Sequence, residues 1–366
     1  MTSHLFTPIS LRELTLPNRI VISPMCQYSA VDGSATNWHL IHLGHLALSG
    51  AGLLMIEATA VNKEGRITHS DLGLYSDENE EALSNVLQTI RKFSGDTAIG
   101  IQLAHSGRKG SAHVPWEGGG PLLQAESAWK TLAPSEIARD SSWPIPEEMS
   151  LPQIEKLKND YTSSTVRAQR LGIDLIELHI AHGYLLHEFV SPISNHRNDQ
   201  YGGSLENRMR LPLEIVRSMR AEWPTNKPMG ARITGSDWLE GGLLVEDAIA
   251  FTNLLKSAGL DYVCISSGGI IPKTNMPETV DYQISLAEQV KKKVDVKVQA
   301  VGLITNPIQA EEIIKSGKAD MVVIARAFLD NPRWVWHAAE KLGVNIPYPP
   351  QYMRARPDLW RGFSSK

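Results

Sequence analysis

The segment Leu171-Gly172-Ile173-Asp174-Leu175-Ile176-Glu177-Leu178-His179-Ile180-Ala181-His182-Gly183-Tyr184 decides how the chain folds. Gly172 stands just past the last turn of a helical pattern, where a left-handed backbone closes a helix. The apolar run that follows is short, as expected of a strand buried among others. Side chains alternate across a strand, so Glu177 and His179 share one face and Leu178 takes the other. Two imidazoles and a phenol then stand where the strand ends. Each alone reads equally well as a buried core histidine or a packed tyrosine. Together they suit a site that holds a developing oxyanion and delivers a proton.

The same unit recurs along the chain. Strand-like runs fall at 19–25, 52–61, 97–105, 174–181, 228–234, 262–268, 297–302 and 321–328, and helical patterns at 77–93, 150–171, 204–223, 245–258, 280–294 and 307–316. Gly50, Gly259 and Gly317 close helices as Gly172 does. Such alternation predicts a parallel sheet. Eight units predict an α/β fold of the closed (β/α)8 TIM-barrel type, one domain over 1–366. An open doubly wound sheet is the alternative, and the lack of a Gly-x-Gly-x-x-Gly after the first strand weighs against it. The connection 106–149, rich in Gly, Pro, Trp and Ser, follows the third strand and is expected to cap the active face. The tail 347–366 has no role in closing a barrel; docking on a neighbouring subunit is its expected use, against a disordered basic tail.

Composition narrows the function classes. With 366 residues, 42% hydrophobic and 21% charged, the chain can bury a sizeable core. A net charge of −4, with no basic block beyond Lys291-Lys292-Lys293, gives no support to nucleic-acid binding. Cys26 and Cys264 lie far apart and make neither a disulfide framework nor a zinc spacing, so a reducing, cytoplasmic location is the default. No apolar stretch approaches the roughly 18 residues that span a bilayer, and no export or membrane anchoring is indicated.

Barrel active sites lie at the C-terminal ends of the strands. Those ends are Ser23-Pro24-Met25-Cys26, Thr59-Ala60, 102–105, 179–184, Arg232, Ser266-Ser267-Gly268-Gly269, Gly302 and Ala325-Arg326. None carries the lysine a Schiff-base aldolase needs; Lys109, Lys273 and Lys297 fall in loops or at a strand start. Glu57, Glu177, His179 and His182 offer ligands to a divalent ion, as a metal-dependent barrel lyase would require. Pairing of a buried carboxylate with Arg232 accounts for the glutamates equally well. Ser267-Gly268-Gly269, Gly302 and Arg326 supply the free amides and planar cation that a phosphate group calls for.

Several motifs jointly carry a resemblance. They are Leu16-Pro17-Asn18-Arg19-Ile20, Ser23-Pro24-Met25-Cys26-Gln27-Tyr28, Glu57-Ala58-Thr59-Ala60, Gln102-Leu103-Ala104-His105-Ser106-Gly107-Arg108-Lys109, His179-Ile180-Ala181-His182-Gly183-Tyr184, Ser191-Pro192 and Asn198-Asp199-Gln200-Tyr201-Gly202-Gly203-Ser204-Leu205-Glu206-Asn207-Arg208. With them nearly the whole chain resembles the old yellow enzyme family of FMN-dependent ene-reductases, in its thermophilic-like, xenobiotic-reductase branch.

The resemblance implies FMN held noncovalently at the barrel mouth. Ser23, Pro24, Met25, Cys26, Ala60, Gln102 and Arg232 would line the isoalloxazine, and Gly302, Ala325 and Arg326 would hold the phosphate end. It implies NADPH (or NADH) as hydride donor and activated alkenes as substrates, α,β-unsaturated carbonyl compounds first and nitro compounds as a further class. Tyr28, His179 and His182 would bind the substrate, the imidazoles at its carbonyl oxygen, and Tyr184 would protonate the α carbon. Cys26 would touch the flavin and tune its potential, where the bland reading is a small apolar residue. Without a dinucleotide fold of its own, the nicotinamide must use the face that later receives the alkene, which gives ping-pong kinetics. No metal is implied. Arg354, with Tyr352 beside it and Arg356 as the other register, would reach a neighbouring subunit's site in a homodimer or homotetramer. A non-catalytic flavin-binding protein is the remaining alternative.

Overall fold

The computed structural model describes residues 3–362. Eight parallel strands close a barrel: β1 Ile20–Ile22, β2 Leu53–Ala60, β3 Ala98–Ala104, β4 Leu175–Ile180, β5 Met229–Thr234, β6 Tyr262–Ser266, β7 Lys297–Val301 and β8 Met321–Ile324. Their ring order follows the chain, and β8 returns to β1 with Val323 opposite Val21. The helices are α1 Asn37–Ala47, α2 Asp77–Ile90, α3 Leu151–Arg170, α4 Leu185–Val190, α5 Leu205–Glu222, α6 Val245–Ser257, α7 Tyr282–Lys293, α8 Pro307–Lys315, α9 Arg326–Asp330 and α10 Trp334–Lys341.

Alternation along the strands builds two separate cores. Outward residues such as Ile22, Leu54, Ile101, Leu178 and Ile233 pack on the helices. Inward residues Val21, Leu53, Met55, Leu175, Tyr262, Met321 and Val323 pack on each other and on Ile9, Leu11 and Leu16. Those last three come from a hairpin, Ile9–Leu11 against Leu14–Leu16, ahead of β1. Its strands are three residues each, too short for a period to register in the sequence. They plug the N-terminal end of the lumen.

The helix–glycine–strand junctions share a further device. Asp174, Asp261 and Asp320, just before β4, β6 and β8, accept the N–H groups of Ile99, Met229 and Val298 at 2.8, 2.9 and 2.9 Å. Each carboxylate thus ties the start of one strand to the strand before it, satisfying an amide at the barrel's edge.

One expectation is corrected, and the structure adds detail to others. The run 321–328 is only half strand, because Ala325 (φ −109°, ψ −91°) leaves the β region and α9 begins at Arg326. Helix α1, whose end Gly50 marks in the sequence, starts on an unusual cap: Thr36 caps the helix, and the third-position partner that returns the bond to the Thr36 N–H is His39 rather than Glu or Gln. The connection 106–149 carries structure of its own, a pair of short strands, Leu132–Ala133 with Glu147–Glu148. In the tail 347–366, Pro350–Ala355 forms a 3-10 turn, and residues 363–366 lie outside the described residues.

Leu16 is fully buried in the plug. Leu16→Ala is expected to destabilise the fold by about 2–5 kcal/mol, seen as a lower midpoint in urea. An unchanged midpoint would show that the hairpin is an ornament rather than part of the core.

Candidate active site

Above the plug the lumen turns polar. Glu177 of β4, Gln102 of β3, Arg232 of β5 and Ser23 just past β1 are all buried. Gln102 donates Nε2 to one Glu177 oxygen at 2.7 Å, and the Tyr262 hydroxyl donates to the other at 3.1 Å. Gly230 permits this, because a Cβ there would fall 2.2 Å from the Tyr262 ring. Arg232 Nε stands 3.9 Å from the same carboxylate, and Nη2 donates to Ser23 Oγ at 3.2 Å. Burial pushes the Glu177 carboxyl above its usual range, with Arg232, Gln102 and Tyr262 pulling the other way.

Glu57 does not join this group. A bulge between Ile56 and Ala58 adds one residue to β2, so Met55 pairs with Gly100 and Ala58 with Gln102. The shift turns Glu57 away from the lumen, where it accepts the Gln27 N–H at 2.9 Å and faces His39 Nε2 at 3.3 Å. The four-residue cluster Glu57, Glu177, His179, His182 therefore does not assemble. Glu57 instead steadies the loop that carries Cys26 and Tyr28.

His179 and His182 do come together, with Nε2 of the first 3.3 Å from Nδ1 of the second. Their tautomers follow from their partners. His179 Nδ1 accepts the Ala181 N–H at 3.2 Å, so its proton is on Nε2 and points to His182. His182 then donates from Nε2 to Ser266 Oγ at 2.7 Å, and Ser266 donates to Gln283 Oε1 at 3.1 Å. Burial holds both imidazoles well below their usual pKa, and Arg232 and Lys109 push the same way. Both are neutral donors at physiological pH. Tyr184 lies edge-on to His179, ring centroids 5.0 Å apart, with its phenol pushed up by burial.

The turn that presents these groups is fixed by close approach. His182 and Gly183 are left-handed (φ 61° and 72°), and a Cβ on Gly183 would meet the Gly269 carbonyl oxygen at 2.2 Å. Only glycine lets the turn after β4 nest into the turn after β6. Behind it, Asp237 accepts from His187 Nε2 at 2.9 Å, which leaves His187 Nδ1 bare to take the Gly183 N–H at 2.7 Å.

Pro24, Met25, Cys26 and Tyr28 are half-buried in the loop after β1, and Ala60 is buried at the end of β2. Burial, then Asp71 and Glu57, push the Cys26 thiol up, so it stays protonated. Tyr28 adopts a left-handed backbone (φ 48°) and meets Trp116 of the 106–149 connection edge-on at 6.0 Å. Left-handed non-glycine residues are strained, and two of the expected site residues, Tyr28 and His182, are among them.

At the rim, Gly302 (φ 115°) lies against Gln283, and Arg326 is exposed with no ion pair among the described residues. Gly268 gives its N–H to the Ser236 carbonyl at 2.8 Å, so that amide is already taken. Tyr352 packs on its own chain, 5.9 Å from the Trp336 ring and under the Arg333 guanidinium at 4.7 Å. Arg356 pairs with Asp358 at 2.9 Å, whereas Arg354 is exposed with no ion pair among the described residues. The partnership of Ser266 and Gln283 with His182 is not readable from spacing; Ser266 at the end of β6 is its one visible sign.

These residues fit FMN. Arg232 Nε is buried without a hydrogen-bond partner among the described residues, a donor of the kind a flavin's pyrimidine edge takes, and Gln102 keeps its carbonyl oxygen as an acceptor. Arg326 has no ion pair among the described residues and suits a phosphate. The family model for NADH:flavin oxidoreductase / NADH oxidase matches residues 4–345. An NADH:flavin oxidoreductase of Gibberella zeae is 44% identical over 363 residues, covering 94% of this chain and 87% of that one. An NADPH dehydrogenase of Bacillus subtilis is 40% identical over 356 residues, covering 97% and 99%. The structure of morphinone reductase is similar at a TM-score of 0.78, with 26% identity, over 96% of this chain and 93% of that one. No helix among the described residues is long and apolar enough to cross a membrane. The chain is an FMN enzyme that takes its electrons from a nicotinamide donor, and it belongs to the NADH:flavin oxidoreductase / NADH oxidase family, the old yellow enzymes.

Proposed function

We propose that this flavin oxidoreductase is an ene-reductase, delivering hydride from NADPH or NADH to the C=C bond of α,β-unsaturated carbonyl compounds, with nitro compounds as a further class. The observation that carries the reading is the pair of neutral imidazoles at the mouth beside the Tyr184 phenol; their Nε2 protons rest on His182 Nδ1 and Ser266 Oγ, and a substrate carbonyl would draw them away from those partners. Neutral N–H donors suit a carbonyl oxygen that gains charge during reaction, because their bonds to it strengthen and no proton is lost. FMN, when bound, supplies the hydride relay between nicotinamide and alkene. Gln102 and Arg232 would hold its pyrimidine edge, Arg326 and Gly302 its phosphate, and Cys26 its ring.

The chain's own groups then divide the work. His179 and His182 polarise the alkene through its carbonyl and fix which carbon faces the hydride. Tyr184 holds the proton for the α carbon; its raised pKa keeps it protonated until charge appears there. Tyr28 closes the other side under Trp116. Nicotinamide and alkene use this one mouth in turn, a ping-pong scheme. Two free thiols, Cys26 and Cys264, agree with a cytoplasmic setting.

The second subunit enters through the tail. Residues Trp38 and Ile41 of α1 are exposed, and Tyr352 borders Leu40 and Gly44 of the same helix. We read this face as the seat of a homodimer. Arg354, free of the internal pairing that occupies Arg356, is the residue offered to the neighbouring mouth.

An anaerobic titration tests the activity: NADPH should bleach the yellow protein, and cyclohexenone should restore the colour. A yellow protein that NADPH leaves oxidised is a flavin binder without this activity. Tyr184→Phe should slow reoxidation by the enone by roughly 10²–10⁴-fold and leave reduction by NADPH within about twofold; equal slowing of both would remove Tyr184 from the acid role. Arg354→Ala should raise KM for the enone more than Arg356→Ala does, and the reverse order would assign the register to Arg356.

A further inference from the structure

Lys109 closes the turn Gly107–Lys109 just past β3, and sequence position alone assigns it to a loop. Its ammonium group in fact points into the mouth. Nζ lies 4.7 Å from the centroid of the Tyr184 ring. It donates to the carbonyl oxygen of His182 at 2.7 Å and of Gly269 at 3.4 Å. Those carbonyls belong to the two interlocked turns, both left-handed there (φ 61° and 88°). No carboxylate lies within ion-pair reach of Lys109 among the described residues. The reading of Tyr184 as proton donor leaves one requirement unmet: the phenolate that remains is buried, and burial opposes its charge.

We propose that Lys109 is the cation that stabilises the Tyr184 phenolate and, through the His182 carbonyl, the positioning residue of the turn that holds both Tyr184 and His182. In the step concerned, the Tyr184 O–H bond breaks and a C–H bond forms at the α carbon. The electron pair stays on the phenolate oxygen, so negative charge passes from the hydride-bearing substrate to Tyr184, and water returns the proton before the next turnover. A cation over an aromatic face gains attraction when the ring becomes anionic.

The charged groups around Lys109 make its own proton labile. Burial, then Arg139 and Arg108, lower it to about 7, with Glu188 opposing. Glu188 is itself pushed up to about 8 by burial, so it is a weak counter-ion at neutral pH. On the other side of Tyr184, burial pushes the Asp71 carboxyl up to about 6. The imidazoles of His179 and His182 titrate well below this range. The sign is then fixed. Lys109 is charged and the phenolate stabilised below about pH 7, and the help is lost as pH rises through that value.

The inference rests on Tyr184 as the acid, and stopped-flow measurement of the two half-reactions on the FMN-loaded protein separates the two claims. Lys109→Met should slow reoxidation by cyclohexenone about 10- to 100-fold, a change equal to about 1.4–2.8 kcal/mol, while reduction by NADPH stays within about twofold. That unchanged reduction also reports an intact fold. Lys109→Arg should keep most of the reoxidation rate and abolish its fall near pH 7. Reoxidation of Lys109→Met at the wild-type rate, with Tyr184→Phe slow, would overturn the inference and leave the acid in place. A fall near pH 7 that persists in Lys109→Arg would also overturn it and point to Asp71 or Glu188. If Tyr184→Phe reoxidises normally, both claims fall together.

Discussion

Burial of the Arg232 guanidinium and the Glu177 carboxylate inside the barrel is the constraint on which the rest of the structure depends. A charge taken out of water must be paired and hydrogen-bonded or it destabilises the fold by several kcal/mol. Here the pairing is loose at 3.9 Å and the carboxylate is satisfied instead by Gln102 and Tyr262. That arrangement divides the lumen in two. Below it, the inward side chains and the N-terminal hairpin pack as a second, mainly apolar cluster. Above it, Arg232 Nε is buried with no hydrogen-bond partner among the described residues, a donor that an acceptor such as a flavin edge would complete. On the proposed placement of the flavin, the cofactor would complete the unfinished half of a buried ion pair.

The mouth is ordered by backbone rather than by side-chain packing. Gly183 and Gly269 allow two turns to touch where no Cβ would fit, and this contact decides where His182 and Tyr184 point. The Asp237–His187 pair holds the Gly183 N–H from behind, and Lys109 holds the His182 carbonyl from the front. A strained, left-handed His182 persists because three separate elements over-determine it.

Much of this was legible in the chain. Strand–helix alternation and the glycines after each helix mark the barrel, since both are local, periodic signals. Glu177 and His179 fall on the lumen face as alternation requires, and His179, His182 and Tyr184 meet as their spacing suggests. What the sequence hides is what depends on register. The bulge at Glu57 inverts one strand's parity with no glycine or proline to announce it. The hairpin strands of three residues carry too little pattern to read. Gln283 reaches Ser266 across the barrel rim from α7, and Lys109 reaches Tyr184 from another loop; contacts between distant segments leave no periodic trace.

The chemistry of the site follows from where charge is allowed to be. Burial keeps His179, His182, Cys26 and Tyr184 all uncharged at neutral pH, so apart from the Lys109 ammonium, which is held by the His182 and Gly269 carbonyls, the resting mouth offers only neutral N–H groups and a phenol. Such groups do little for an unpolarised alkene. In the proposed reduction of an activated alkene they would become effective once hydride transfer places negative charge on the substrate, first at the carbonyl oxygen and then at the α carbon, because a hydrogen bond to an anion is stronger than one to its neutral parent. On that reading the same residues would stay inert toward the nicotinamide and act on the alkene. One mouth could then serve two substrates in succession, its acid called up by the charge that only the second of them develops.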